Sequence, residues 1–373
     1  MKDPELKYKI GIELIPKIGS INAKKLIAYC GSPEAVFKEH KKNLLKIPGI
    51  GEVIATEIIN QKILDKAEAE IEFIEKYRIK ALYYIDTEYP ERLKQCEDGP
   101  VVLFVKSNQN FNFNTDKIIS IVGTRKATTY GKIICDELIG GIASKGYLPL
   151  VVSGLAYGID VAAHKAAIKH QLPTIAVLGH GLNTIYPSAH RNVAKEIANH
   201  GALVTDFISE TPFDRNNFLR RNRIIAGLAD ATIVVESAEE GGALVTADIA
   251  NSYNREVFAV PGNVTSSYSK GCNQLIKQNK AALIESADDI EFLLGWKPNV
   301  KNTPKQTSIN FNTFNTEEQI ILNYLRNNGE ETIDLISINT GIPVSKALSM
   351  LLNLEFSGAV ISKPGKIFAL SSM

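Results

Sequence analysis

Between residues 117 and 286, seven short runs of apolar and β-branched residues alternate with longer helical stretches. This alternation restricts the fold more than any other feature of the chain, because strands separated by helices form a mainly parallel sheet covered by helices on both faces. The sequence therefore predicts an α/β fold. The seven runs are IISIVG, LPLVVSG, TIAVLG, ALVTDF, ATIVVES, EVFAVPG and AALIES.

Small residues follow most of these predicted strands at their carboxyl ends. Open parallel sheets bind ligands at that edge, where small residues let a phosphate approach the backbone and helix N-termini offer unpaired N–H donors. A single glycine turn is more typical of packing, but five such loops at one edge indicate a phosphate site. The candidate residues are Gly123, Ser153, Gly154, Gly158, Gly179, Gly181, Gly241, Gly242 and Thr246.

Residues 215–230, RNNFLRRNRIIAGLAD, place four arginines within nine positions. The chain has 42 basic and 41 acidic residues, so a polyanion site must be a local patch rather than a property of the whole surface. Guanidinium groups hold phosphates, and an aromatic ring among them stacks on a base, which is the combination that single-stranded nucleic acid requires. The predicted DNA-binding residues in this stretch are Arg215, Phe218, Arg220, Arg221 and Asn222.

A structural interpretation also stays open for two of these arginines. The residues that follow, Ile224–Leu228, read as the apolar face of a helix. Arg221 or Arg223 would then have a structural role, paired with an acid such as Glu236. In the segment SIVGTRKAT, Arg125 follows Gly123 by two residues and faces the ligand edge of the sheet.

Catalytic and metal-binding patterns are absent from the sequence. It contains no Walker A, HExxH, GxSxG or dinucleotide-type GxGxxG pattern. The histidines and the four cysteines lack metal-ligand spacing, so we predict no catalytic residue, no metal and no cofactor. Without an apolar leader or a stretch of about 18 apolar residues, the expected location is the cytoplasm, with no membrane contact.

The remaining segments predict further domains. The stretches IPKIGSINAKKLI and IPGIGEVIATEII superimpose at an offset of 32 residues and read as glycine turns followed by helices. They indicate a helical domain over 1–78 with two helix-hairpin-helix-like repeats, or a helical bundle that uses glycine only to turn. The α/β domain follows over 79–296, a linker over 297–315 and a winged helix over 316–373. Residues 301–373 hold six basic and six acidic residues, which is unfavourable for independent DNA binding.

Five segments together resemble the DNA-processing protein A (DprA/Smf) family: SIVGTRKAT, SGLAYGIDVAAHKAA, GLNTIYPSAHRN, FLRRNRIIAGLADATIVVESAEEGGALVTADIA and VFAVPGNVTSSYSKGCNQLI. The resemblance spans roughly residues 80–295. It implies an extended Rossmann-like core, flanked by a helix-hairpin-helix or SAM-like helical domain and a winged helix. It also implies a non-enzymatic homodimer that binds single-stranded DNA, protects incoming strands in natural transformation and loads the RecA recombinase.

The same resemblance assigns roles to matched positions. It makes Arg125 a phosphate-contacting residue, places Ser153 and Gly154 in the same pocket, and matches Arg215 to a position that is lysine in many relatives. The sequence departs from the family pattern at Asn183, Leu219 and the GGALVTA loop, which leaves loop geometry open.

Two competing functions remain. A Rossmann core with glutamates near the loop after VVES resembles phosphoribohydrolases that cleave nucleoside monophosphates, and Glu236, Glu239 and Glu240 are the candidate residues. A protein-binding scaffold is the other, but it leaves the convergence of arginines and phosphate-suited loops unexplained.

Overall fold

The computed structural model describes residues 3–60, 62–297, 314–357, 359–363 and 366–370. It divides into two compact units, Met1–Pro298 and Asn299–Met373. Of the predicted linker at 297–315, positions 298–313 lie outside the described residues.

Six helices begin the first unit, and their apolar faces share a core with the first two strands of the sheet. Buried Ile10, Leu26 and Ile58 belong to the same cluster as Val102 and Phe104. The core is therefore continuous across residue 78, and the boundary predicted there stays a prediction. The helices are α1 Leu6–Leu14, α2 Gly19–Cys30, α3 Pro33–Lys38, α4 Lys41–Leu44, α5 Glu52–Asn60 and α6 Lys62–Tyr77.

A nine-stranded sheet forms the centre of the first unit. Its strands are β1 Lys80–Tyr83, β2 Val102–Lys106, β3 Ile118–Val122, β4 Leu150–Ser153, β5 Thr174–Val177, β6 Gly201–Thr205, β7 Ala231–Val234, β8 Glu256–Ala259 and β9 Ala282–Leu283. The spatial order is β1-β2-β6-β5-β4-β3-β7-β8-β9. The seven runs predicted as strands form β3 to β9, which pair in parallel. The α/β prediction is confirmed, and β1 and β2 extend the sheet as an antiparallel edge.

Helices cover both faces of the sheet. Ile224 and Ala247 pack on one face, and Leu138, Ala163 and Ile290 pack on the other. The helices are α7 Glu91–Lys94, α8 Thr129–Ser144, α9 Ile159–Lys169, α10 Arg191–His200, α11 Arg215–Leu228, α12 Gly242–Ser252, α13 Lys270–Lys277 and α14 Ala287–Leu293, with a 3₁₀ turn at Ser188–His190 before α10.

The strand order reverses at β3, which has β4 on one side and β7 on the other. Chain segments leaving the carboxyl ends of β3 and β7 therefore diverge to opposite faces, which opens a crevice between them. The two loops are joined by a hydrogen bond from the Thr124 N–H to the Glu236 carbonyl at 2.7 Å. This crevice is where the sheet topology places a ligand.

The second unit packs three helices and a small antiparallel sheet around its own apolar core, which includes Leu322, Ile336 and Leu351. Its order is α15 Thr316–Asn328, β10 Glu331–Thr332, α16 Ile333–Thr340, α17 Val344–Phe356, β11 Val360–Lys363 and β12 Ile367–Leu370. The winged-helix identity of this unit stays a prediction. No single helix in the described part of the chain is long and apolar enough to span a membrane, whereas α16 and α17, bent by 111°, meet that test as a pair.

Candidate functional site

A cleft of about 280 Å³ opens at the switch point of the sheet. Its walls are the loops that follow β3 and β7 and the N-terminal turns of α11 and α12. Nine of the predicted DNA-binding and phosphate-loop residues line it: Gly123, Arg125, Arg215, Phe218, Arg221, Asn222, Gly241, Gly242 and Thr246. Glu240, one of the three candidates for nucleotide cleavage, lines it too.

Arg125 and Phe218 form the outer edge of the cleft. The guanidinium carbon of exposed Arg125 lies 5.9 Å from the centroid of the Phe218 ring, within cation–π range. Arg215 is also exposed at the first position of α11, after Asp214 caps the helix by accepting a hydrogen bond from the Asn216 N–H at 2.8 Å. Two solvent-accessible guanidinium groups therefore face the cleft beside one aromatic ring.

Arg221 lies at the base of the cleft and is only 4% exposed. Its guanidinium donates to the Val177 carbonyl, while its Nε has no hydrogen-bond partner within the described residues. Burial lowers the pKa of Arg221 to about 10, an effect that nearby Asp160 opposes and nearby Arg125 reinforces. The group stays charged at neutral pH, so the cleft has a buried positive charge with an unused donor.

The Arg221 guanidinium fits at the base of the cleft because residue 154 is glycine. A Cβ at Gly154 would lie 2.0 Å from the Arg221 Nη1, so only glycine permits this approach. Buried Asp160 lies nearby and accepts a hydrogen bond from the Ala156 N–H at 3.3 Å. Burial raises the pKa of Asp160, although the Arg221 charge opposes this rise.

Glu236 is not the partner of any of these arginines, and this part of the prediction is wrong. Its carboxylate accepts hydrogen bonds from the Thr128 N–H at 2.9 Å and the Thr128 hydroxyl at 2.6 Å, at the start of α8. Arg223 instead pairs with Asp206 at 2.5 Å and donates to the Asp98 carbonyl. The structural role expected of Arg223 is therefore met by Asp206, the residue that follows β6.

The other predicted residues have distinct positions. Arg220 lies outside the cleft lining, with its guanidinium 5.4 Å from the Phe207 ring. Asn222 is buried and donates to the Gly242 carbonyl at 3.2 Å, which joins α11 to the start of α12. Thr246 donates to the same carbonyl at 3.0 Å. Asn222 and Thr246 thus hold the N-terminal turn of α12 in place.

The remaining glycine and serine residues lie outside the cleft lining. Ser153 is buried and donates to the Ile121 carbonyl at 2.6 Å. Gly158 has a φ of +81°, and a Cβ there would lie 2.1 Å from the Thr124 carbonyl. Gly179 lies against Phe218, and Gly181 lies against the backbone of Ile208. These four residues shape the loops, and direct DNA contact by them stays a prediction.

Phe218 was predicted as a stacking residue, but its contacts with Tyr186 and Phe213 were not. We call these three rings the aromatic cluster. Its ring centroids lie 4.6 Å apart for Tyr186 and Phe213, 5.3 Å for Phe213 and Phe218, and 5.8 Å for Tyr186 and Phe218. The Phe213–Phe218 contact could have been predicted from the sequence, since an apolar residue before a helix cap often packs against the fourth helical residue. The approach of Tyr186 depends on the tertiary fold.

Two buried histidines, His164 and His180, lie close enough to Arg221 to be affected by its charge. His164 is fully buried and its Nδ1 lies 2.7 Å from the Thr174 hydroxyl. Burial lowers its pKa to about 3, and the charge of Arg221 adds to this effect. His180 accepts a hydrogen bond from the Tyr186 N–H at 3.3 Å and so fixes the loop that presents Tyr186. Within the part of the chain that the structure describes, no group of three His, Cys, Asp or Glu side chains could hold a metal.

Fold and cleft together define an α/β protein with an extended Rossmann-like sheet, whose switch point holds an arginine-lined site bordered by aromatic rings. The chain belongs to the DNA recombination-mediator protein A family, whose model matches residues 80–294. The resemblance to the DprA/Smf proteins inferred from the sequence is thereby confirmed.

Similar proteins cover most of the chain. A putative DNA processing protein DprA from Mycobacterium tuberculosis is 32% identical over 85% of this chain and 84% of its own length. The Smf protein of Escherichia coli is 36% identical over 74% of each chain. The crystal structure of DprA from Streptococcus pneumoniae matches 78% of this chain and 98% of its own with a TM-score of 0.66 at 29% identity.

A second solved structure, DNA processing protein A from Helicobacter pylori, matches 58% of this chain and 96% of its own with a TM-score of 0.52 at 26% identity. It was described for its mode of binding single-stranded DNA.

Proposed function

We propose that the cleft at the switch point binds single-stranded DNA. The observation that carries this proposal is the placement of Arg125 and Arg215 beside the Phe218 ring at the mouth of the cleft. Guanidinium groups neutralise phosphates, and a ring stacks on a base whatever its sequence. The H. pylori relative, described for its binding of single-stranded DNA, supports the same ligand for this chain.

The arrangement favours single strands over duplex DNA. A duplex keeps its bases paired and stacked inside, so a ring beside the phosphate contacts has no base face to meet. An unpaired strand turns its bases outward and satisfies both kinds of contact. Arg221, buried and charged at the base of the cleft, adds positive potential that favours an anion there.

The test compares labelled oligothymidylate with a duplex of equal length by fluorescence anisotropy at one salt concentration. We expect the single strand to bind at least about tenfold more tightly, since stacking adds to the electrostatic contacts. Equal affinity for the two ligands would show that the cleft reads only the phosphate charge and would remove the stacking part of the proposal.

We further infer that this binding protects incoming strands during natural transformation in the cytoplasm, and that the protein acts as a homodimer which loads the RecA recombinase. Membership of a recombination-mediator family supports this role. The test measures RecA filament growth on single strands covered by a single-strand-binding protein. We expect this protein to shorten the lag before growth, and an unchanged lag would rule out the loading role.

Nucleotide cleavage is not supported as an alternative. Both Glu236 oxygens accept hydrogen bonds from Thr128, so this carboxylate is engaged in holding the start of α8. Glu239 lies 3.7 Å from the Lys270 ammonium in an exposed ion pair. Glu240 does line the cleft, but the family whose model matches the chain is a recombination mediator. Incubation of the protein with nucleoside monophosphates should therefore release no free base.

A further inference from the structure

We propose that Phe213 and Tyr186 form a second base-binding subsite, which takes an unpaired nucleobase next to the one that Phe218 contacts. This inference rests on the proposed binding of single-stranded DNA and extends the site beyond the cleft lining. Neither ring lies within the arginine-rich stretch at residues 215–230.

Both rings are exposed to solvent even though they contact one another. Phe213 is 56% exposed and Tyr186 is 46% exposed, although their centroids lie only 4.6 Å apart. Leaving two large rings in water costs the folding free energy that their burial would give. A base that covers them recovers this loss on binding.

The geometry determines how many bases the aromatic cluster can take. Its three ring pairs meet at interplanar angles of 54° to 64°, so no two rings present parallel faces between which a base could insert. Bases must stack on the outer faces instead. Because the Arg125 guanidinium lies over the Phe218 ring, the outer faces of Phe213 and Tyr186 are the better exposed ones.

Charge and continuity identify the occupant as nucleic acid rather than an apolar partner. Phe213 precedes Arg215 by two residues, and its contact with Phe218 joins it to the edge of the cleft. A strand with one phosphate at Arg215 or Arg125 therefore has its neighbouring nucleotide within reach of these rings. Alternating cations and rings along one path suit a polyanion that has a flat base at every repeat.

The two rings are held by separate anchors, so their exposure does not result from a loose chain. The Asn217 side chain donates to the Pro212 carbonyl at 3.2 Å and fixes the residue before Phe213. On the other loop, the Tyr186 N–H donates to His180. Burial lowers the pKa of His180, so this imidazole keeps an acceptor nitrogen at neutral pH.

A structural role for Phe213 must be separated from a binding role. Phe213 directly precedes Asp214, the cap of α11, and packs on the fourth residue of that helix, Phe218. This is the arrangement of a hydrophobic staple, which fixes the direction of the chain as it enters a helix. Leucine keeps such an apolar contact but has no aromatic face, so Phe213→Leu removes stacking and retains the staple.

The experiment measures the affinity of the full chain for oligothymidylate and for an abasic strand of the same length, which has the phosphates without the bases. For Phe213→Leu we expect roughly 5- to 150-fold weaker binding of oligothymidylate, as the loss of one stacked base implies, with unchanged binding of the abasic strand and an unchanged melting temperature. Tyr186→Leu should behave in the same way, and Phe213→Tyr should retain parental affinity.

The control variant is Tyr29→Leu, which removes a 64% exposed ring from α2 and should leave both affinities unchanged. The proposal is overturned if Phe213→Leu and Tyr186→Leu bind oligothymidylate as the parent does, or if they lose equal affinity for both strands. Should Phe213→Leu melt at a lower temperature, Tyr186→Leu decides the outcome because it lies on another loop. A parent protein that does not bind oligothymidylate at all would instead refute the proposed function.

Discussion

Residues of one type have different roles in this site according to their burial. Arg125 and Arg215 are exposed at the mouth of the cleft, whereas Arg221 is 4% exposed at its base and Arg223 pairs with Asp206. The sequence predicted that the stretch contains both binding and structural arginines. It could not assign them, because the partner of each guanidinium comes from a strand or loop far away in the chain.

Among single residues, His164 is expected to make the free energy of unfolding depend on pH. Its pKa in the folded state is lowered to about 3, against about 6.5 in an unfolded chain. The unfolded state therefore takes up a proton first, and the stability that neutral His164 contributes is complete above pH 6.5 and is lost as the pH falls towards 3. Between pH 7.5 and pH 5 the free energy of unfolding should decrease by about 2 kcal/mol from this residue.

Urea unfolding at the two pH values checks this effect in the parent and in His164→Gln. The decrease between pH 7.5 and pH 5 should be smaller in the variant. His180, whose pKa is also lowered by burial, is present in both proteins, so the difference between them isolates His164. An identical decrease in both would show that His164 does not titrate as its burial implies.

At the scale of elements, the fit between the loop after β4 and α11 determines the shape of the cleft. A Cβ at position 154 would lie 2.0 Å from the Arg221 guanidinium, and this guanidinium already donates to the Val177 carbonyl. Gly154→Ala should therefore displace Arg221, lower stability by about 1–3 kcal/mol and weaken DNA binding.

Thermal melts and anisotropy titrations of Gly154→Ala measure both effects. Gly51→Ala is the matched control, because a Cβ there meets nothing within 4 Å, and it should leave stability and affinity near parental values. If Gly154→Ala behaves like this control, the close approach of Arg221 does not shape the site.

Seven of the nine strands of the large sheet could be predicted from the sequence, and two could not. All seven parallel strands were evident because each follows or precedes a helical stretch. Strands β1 and β2 were missed, since only the four-residue helix α7 lies between them and an antiparallel pair lacks the alternation that marks the rest. The contact between Tyr186 and Phe213 in the aromatic cluster was missed for a related reason. Tyr186 and Phe213 are 27 positions apart and meet only because β5 and β6 are neighbours in the sheet.

For the whole molecule, the division into two units predicts that the cleft functions without the second one. The second unit packs around its own core, and every residue that lines the cleft belongs to the first. A chain ending at residue 297 should therefore bind oligothymidylate within about threefold of the full chain, since residues 301–373 carry no net charge to add electrostatic affinity. Anisotropy titration of both chains provides the comparison, and a large loss on truncation would assign a nucleic-acid surface to the second unit.

The central claim, that exposed arginines at the switch point hold the phosphates of a single strand, is tested most directly by the salt dependence of binding. Each phosphate contact on single-stranded DNA contributes a slope of about −0.7 to log K against log salt. We predict that Arg125→Ala and Arg215→Ala each flatten the slope for oligothymidylate by roughly 0.7, and that Lys126→Ala, an exposed cation next to Arg125 that is absent from the cleft lining, leaves it unchanged. Parental slopes in both arginine variants, with the proteins folded, would contradict the account.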